Sequence, residues 1–174
     1  ELPVLEDDDF GVVSGARVIS EWVEEVIEQA RLMPQTPGER AEVRRLVDWF
    51  EIKFTHEVSG PLLRERVIKR FDKGQPASSE IMRAALSNAQ THLGYIDWLA
   101  AQNPWLAGAN MSLCDLAAAA HLSVLDYFGD VNWTKHTDAK MWYMKLKSRP
   151  SFRPLLADVL VGMPPASTYS ALDF

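Results

Sequence analysis

Two short apolar runs, residues 2–5 and 10–13, flank the acidic stretch Glu6-Asp7-Asp8-Asp9, a pattern that predicts a β-hairpin with a solvated, charged tip. From residue 16 to about 31 the pattern changes. Val18, Ile19, Trp22, Val23, Val26 and Ile27 recur at helical spacing, so an amphipathic helix is expected to pack on the hairpin. Met33-Pro34-Gln35-Thr36-Pro37-Gly38 interrupts that periodicity and reads as a linker. Everything beyond it reads as helix. Residues 39–58 place Val43, Leu46, Val47, Phe50 and Phe54 on one face, and Gly60-Pro61 is expected to end that helix. A short basic helix follows with Arg64, Arg66, Lys69, Arg70 and Lys73, and Ser78-Ser79 opens a third helix that runs to about residue 102, before Asn103-Pro104.

Ser112-Leu113-Cys114-Asp115 has the spacing of a capping box, in which serine and an acid three residues later satisfy each other's orphan N–H groups. The helix it starts, residues 113–127, is apolar nearly all round and therefore belongs in the centre of its domain. The expected organisation is residues 1–32, a linker at 33–38, an all-helical domain over 39–161, and a tail at 162–174. That tail is rich in proline, and Tyr169, Leu172 and Phe174 make it more than a solubilising appendage. Two readings stay open for it: a strap over the body, or a recognition motif in which Leu172 and Phe174 anchor and Asp173 sets polarity.

Composition narrows the function. With 18 Lys and Arg against 24 Asp and Glu the net charge is −6, which disfavours general binding to nucleic acid or anionic membranes. No apolar run is long enough to span a bilayer, so no membrane insertion is expected. The lone Cys114 excludes an internal disulfide and is expected to be a packed thiol. His56, His92, His121 and His136 form no metal-ligand spacing, so no metal site is expected. Against the acidic background, Arg64, Arg66, Lys69 and Arg70 are either a solvated helix face or a docking patch for an acidic protein segment.

Leu2-Pro3-Val4-Leu5, the proline-rich linker, Trp105-Leu106-Ala107-Gly108, the Ser112/Asp115 box, and Trp142-Tyr143 with Arg149-Pro150-Ser151-Phe152 together resemble the glutathione transferase superfamily. That resemblance implies the second half of an α/β thioredoxin-like domain, with a cis-proline before its strand, followed by an all-α domain. It also implies that the preceding β-α unit, which carries the family's catalytic Tyr, Ser or Cys, lies ahead of Glu1. The glutathione site would use the backbone at Leu2 and Pro3 and a helix start at residues 15–16, where the family places an acid and a serine. Here those positions read Gly15-Ala16, a degenerate site, so no catalytic residue and no cofactor are expected. Gly15-Ala16 and the tail resemble a narrower group, transferase-like division proteins of alphaproteobacteria that bind the tubulin-like protein FtsZ. This implies a cytoplasmic homodimer, paired through residues 39–58 and 78–102, that binds FtsZ filaments at the division site and regulates constriction. The alternatives are an active transferase that conjugates glutathione to hydrophobic electrophiles, or a ligand-binding relative.

Overall fold

The computed structural model describes residues 2–27, 29, 31–72 and 75–172. A cis Leu2–Pro3 bond leads into strand β1 (Val4–Asp7), which pairs antiparallel with β2 (Gly11–Ser14), Leu5 opposite Val13. The hairpin tip is organised by Asp7, whose carboxylate accepts the N–H groups of Asp9 and Phe10. Helix α1 (Ala16–Val26) lies against both strands. It stops short of residue 31, because Ile27 is already extended and the Glu24 carboxylate draws the returning chain back by accepting from Leu32 and Met33 N–H at 2.7 and 3.1 Å. None of its residues is fully buried, and Phe10, Val12, Val18 and Val26 remain more than half exposed.

The expected break at Gly60-Pro61 does not occur. Helix α2 (Pro37–Asp48) continues through a wide-turned π segment (Trp49–Ser59), α3 (Gly60–Leu63), a second π segment (Arg64–Ile68) and α4 (Lys69–Phe71). The apolar spacing accounts for the wide turns. Leu46, Phe50, Phe54, Val58 and Leu62 are all buried and recur every fourth residue. Turns of 3.6 residues would swing that stripe about 40° per step, and the wider turns, closed by hydrogen bonds to the fifth residue back, offset that drift so that the stripe keeps facing the core. Pro61 has no N–H for the Glu57 carbonyl four residues back, and Asn88 Nδ2 donates to that oxygen at 3.2 Å instead. The Gly60 N–H reaches the Thr55 carbonyl, and a Cβ on Gly60 would sit 2.6 Å from the same oxygen. Gly60→Ala is therefore expected to lower stability by about 1–3 kcal/mol through overpacking, read as a lower urea midpoint at unchanged m-value.

Helices α5 (Ser79–Gln102), α6 (Leu113–Tyr127) and α7 (Thr137–Lys147) complete the bundle, with a 3₁₀ turn (Trp133–Lys135) before α7 and the short α8 (Arg153–Leu156) after it. Ser78 caps α5 by accepting from Ile81 N–H, as its position predicts. Asp97 of α5 accepts the Asp138 and Ala139 N–H groups at the start of α7, so one helix caps another. The core fills the space between the long helical run, α5, α6 and α7, with Phe50, Phe54, Leu93, Ile96, Leu122 and Trp142 among its fully buried members.

Candidate functional site

The helix start at Gly15-Ala16 is bare. Gly15, at φ 94°, is the N-cap of α1, donates its N–H to the Pro3 carbonyl at 2.9 Å, and offers no side-chain hydrogen bond. The other long helices show what a side-chain oxygen does there: Thr36 caps α2, Ser78 caps α5 and the Ser112/Asp115 box caps α6. Ser20 Oγ, one turn into α1, donates back to the Ala16 carbonyl and so faces away from the orphan N–H groups. Arg17, the residue that follows Ala16, is tied to Asp48 at the end of α2 at 2.6 Å. An anion at this helix start would meet backbone N–H groups and the dipole but no hydroxyl from residues 15 and 16.

Between α1 and the helical domain lies a slot of about 240 Å³. Arg44 grips Glu21 with two hydrogen bonds of 2.7 and 2.9 Å along its edge, and that grip holds the Glu21 carboxyl below the usual carboxylate range. Opposite it, burial pushes the Glu51 carboxyl up. Leu113, Leu116 and Ala117 of α6 supply its apolar side.

The basic run resolves into two kinds of cation. Arg66 makes a bidentate ion pair with Asp130, 64 residues away, and lies over the Phe128 ring with 4.8 Å to the centroid. Lys69 pairs with the nearly buried Glu65 at 2.7 Å, and this bond together with the Ser78 N–H holds the Glu65 carboxyl low. Arg64 and Arg70 are exposed. Half of the predicted patch is thus engaged in building the fold.

The tail is strapped to the body through Tyr127. Its hydroxyl donates to the Met163 carbonyl at 2.6 Å and accepts the Leu160 N–H at 2.8 Å, while its own carbonyl accepts the Ala166 N–H at 2.8 Å. Tyr169 is buried edge-on against Tyr127, and the Thr168 carbonyl accepts from Lys147 Nζ at 3.3 Å. Leu172 is half-buried at the end of this strap; Asp173 and Phe174 lie outside the described residues. Neither Tyr127 nor Lys147 is flagged as a tail anchor by motif. The legible signal for Lys147 is its position on the stripe Ala139, Tyr143, Lys147, where an inward-facing lysine demands a buried partner. That partner is Asp126, at 3.0 Å.

Asp115 is a buried acid on which four donors depend. One carboxylate oxygen accepts from Leu106 N–H and Trp142 Nε1, the other from Ser112 N–H and Oγ, all within 3.0 Å. Cys114 beside it is buried, and burial pushes its thiol up to about 12, leaving it unreactive. No group of three metal-ligating side chains occurs among the described residues.

His121 bridges the π segment, its ring nitrogens 3.1 Å from Ser59 Oγ and 3.4 Å from Thr55 Oγ1. Burial holds its pKa below the ordinary 6.5, and burial lowers His92 likewise against the opposing pull of Glu57. As pH falls through 6.5 the unfolded chain takes up these protons before the folded one does, so stability is lost below that pH. His121→Gln, which keeps polar atoms near both hydroxyls, is expected to flatten the dependence of Tm on pH between 7 and 5.

A cis-proline strand and hairpin, a helix whose start would face an anion, and a proline-rich linker into a helical domain with a buried, box-capped central helix define a glutathione-transferase-like protein. No family model matches the chain. FtsZ-localized protein A of Caulobacter vibrioides is 50% identical over 163 residues, covering 94% of this chain and 72% of that one. The solved structure of FzlA from C. crescentus superposes with a TM-score of 0.92 at 48% identity, over 98% of this chain and 76% of that one. A glutathione S-transferase from Rhodospirillum rubrum F11 gives 0.95 at 45%, over 100% and 78%. The chain belongs to the FtsZ-localized protein A family within the glutathione transferase superfamily.

Proposed function

We propose that this chain is a non-catalytic scaffold that binds FtsZ filaments and regulates division and constriction from the cytoplasmic face of the division site. The observation that carries the reading is the 50% identity to FtsZ-localized protein A over 94% of the chain. The bare helix start at Gly15-Ala16 supports the absence of transferase chemistry. A missing hydroxyl removes an interaction with a charged group of about 1.5–3 kcal/mol, enough to push a weak glutathione site out of the useful range. A strap anchored by Tyr127 and Tyr169 carries Leu172 to a fixed place on the surface, which suits presentation of the final residues to a second partner. No described helix is long and apolar enough to cross a membrane.

The homodimer belongs to the same reading, because two copies give a filament two attachment points. The α2–π face and α5 carry exposed Ile52 and Trp98, the latter stacked on Tyr95 at 6.1 Å, as apolar material for self-association. The test is co-sedimentation with polymerised FtsZ, with oligomeric state and glutathione binding measured on the same preparation. A dimer that pellets with filaments and shows no heat with millimolar glutathione is expected. Saturable micromolar glutathione binding without pelleting would replace the scaffold by a transferase.

A further inference from the structure

We infer that the groove between the end of the basic run and the turn that begins the tail is a docking site for a short acidic peptide with apolar anchors. It deepens the scaffold reading and rests on it only in taking the chain to bind protein segments. The groove encloses about 480 Å³, with Met82, Phe128 and Met163 as an apolar floor and Arg66, Arg70 and Gln75 as polar lining. Two thioethers beside an aromatic ring make a floor that adapts to different side chains.

The charges decide the occupant. Glu65 also lines the groove, but Lys69 and the Ser78 N–H use its carboxylate, and Asp130 uses Arg66. Arg70 has no ion-pair partner among the described residues and stays exposed, as does Arg64, the residue before Glu65. The acids at the groove are thus compensated while its cationic edge is not, in a chain of net charge −6. A carboxylate on an incoming segment would complete that edge. Nucleic acid is disfavoured by the overall charge, and a small anion would leave the apolar floor uncovered.

The tail builds one wall. The turn closed by Met163 N–H on the Leu160 carbonyl is pinned by Tyr127, and a Cβ on Gly162 would stand 3.2 Å from an Arg70 guanidinium nitrogen, so the guanidinium lies against this turn. Such a wall needs little ordering when a peptide arrives. Ile68, Phe71 and Val161, adjacent in sequence to these elements, are more than half exposed and offer further apolar contact.

The probe is a fluorescein-labelled peptide Glu-Asp-Leu-Asp-Phe-Leu titrated with the intact chain, beside a version with lysine at its three acids. The acidic probe is expected to bind and to weaken on raising NaCl from about 50 to 300 mM. Arg70→Glu is expected to weaken it about tenfold or more, whereas Lys135→Glu, an equal charge change at an exposed residue that does not line the groove, stays within about twofold. Equal binding by Arg70→Glu and the unaltered chain, or by the acidic and lysine probes, overturns the proposal. Filament pelleting is scored separately. An Arg70→Glu protein that loses the peptide but still pellets with FtsZ supports the groove and assigns it a partner other than the filament. Failure of the unaltered chain to pellet removes the FtsZ reading without touching the peptide result.

Discussion

Asp115→Ala is expected to cost about 3–5 kcal/mol, a large part of the 5–15 kcal/mol that holds a domain of this kind together. Its carboxylate is the acceptor for Leu106 N–H, Ser112 N–H, Ser112 Oγ and Trp142 Nε1. Leu106, Ser112 and Trp142 are each at most 3% exposed, so water cannot replace the lost oxygen atoms. Each stranded donor costs about 1–3 kcal/mol in such surroundings, and partial relaxation keeps the total below a simple sum. Ser112→Ala removes only the hydroxyl and should cost about 1 kcal/mol. Urea unfolding of the two variants checks the ordering. An Asp115→Ala protein within 1 kcal/mol of the unaltered chain would mean that the box is dispensable and that Trp142 finds another acceptor.

Asp126→Ala is expected to be as damaging, for an electrostatic reason. Lys147 Nζ is fully buried, bonded to Asp126 and the Thr168 carbonyl, beneath the rings of Tyr143 and Tyr169 at 5.5 and 5.9 Å. Burial pulls the Lys147 pKa down and the Asp126 pKa up, each opposed by the attraction of its partner. Removing the acid leaves an ammonium in a dry site, a change worth about 3–5 kcal/mol. Replacing both, as Asp126→Leu with Lys147→Met, should recover most of that loss, since buried pairs often contribute little over apolar substitutes. The tail separates the two variants further. Without Lys147 the Thr168 carbonyl keeps only the Ala171 N–H and loses its link to the body, so amide exchange around residues 166–171 should quicken in the double variant even where global stability returns. A double variant as unstable as Asp126→Ala would show that the stranded charge is not what is lost, and would point to the hydrogen bonds that Tyr143 and Trp133 also make to Asp126.

Local chemistry made part of the molecule legible without coordinates. The Ser112/Asp115 spacing reads as a cap because a four-residue pattern contains both partners, and the structure has that box. Ser78 reads as a helix start for the same reason. The apolar helix after the box reads as central, and Ala118, Ala119, Leu122 and Leu125 are buried within it. Gly15-Ala16 is legible as a missing hydroxyl, since absence of an oxygen is a property of the residue itself.

The sequence by itself determined the hairpin, the starts of α5 and α6, the buried stripe of the first long helix and the emptiness of the first helix cap, all set by residues within a few positions of one another. Only the tertiary structure decided that Gly60-Pro61 sits inside a continuous helix, because Asn88 of another helix serves the carbonyl that Pro61 cannot. It also decided which cations have an ion-pair partner among the described residues. Arg66 and Arg70 stand four residues apart and look alike in sequence, but Asp130 reaches one and the tail turn lies against the other. Hydrogen bonds and ion pairs act over a few ångströms, whatever the number of residues between the partners. Partners 21, 27 or 64 residues apart are therefore assigned by packing alone.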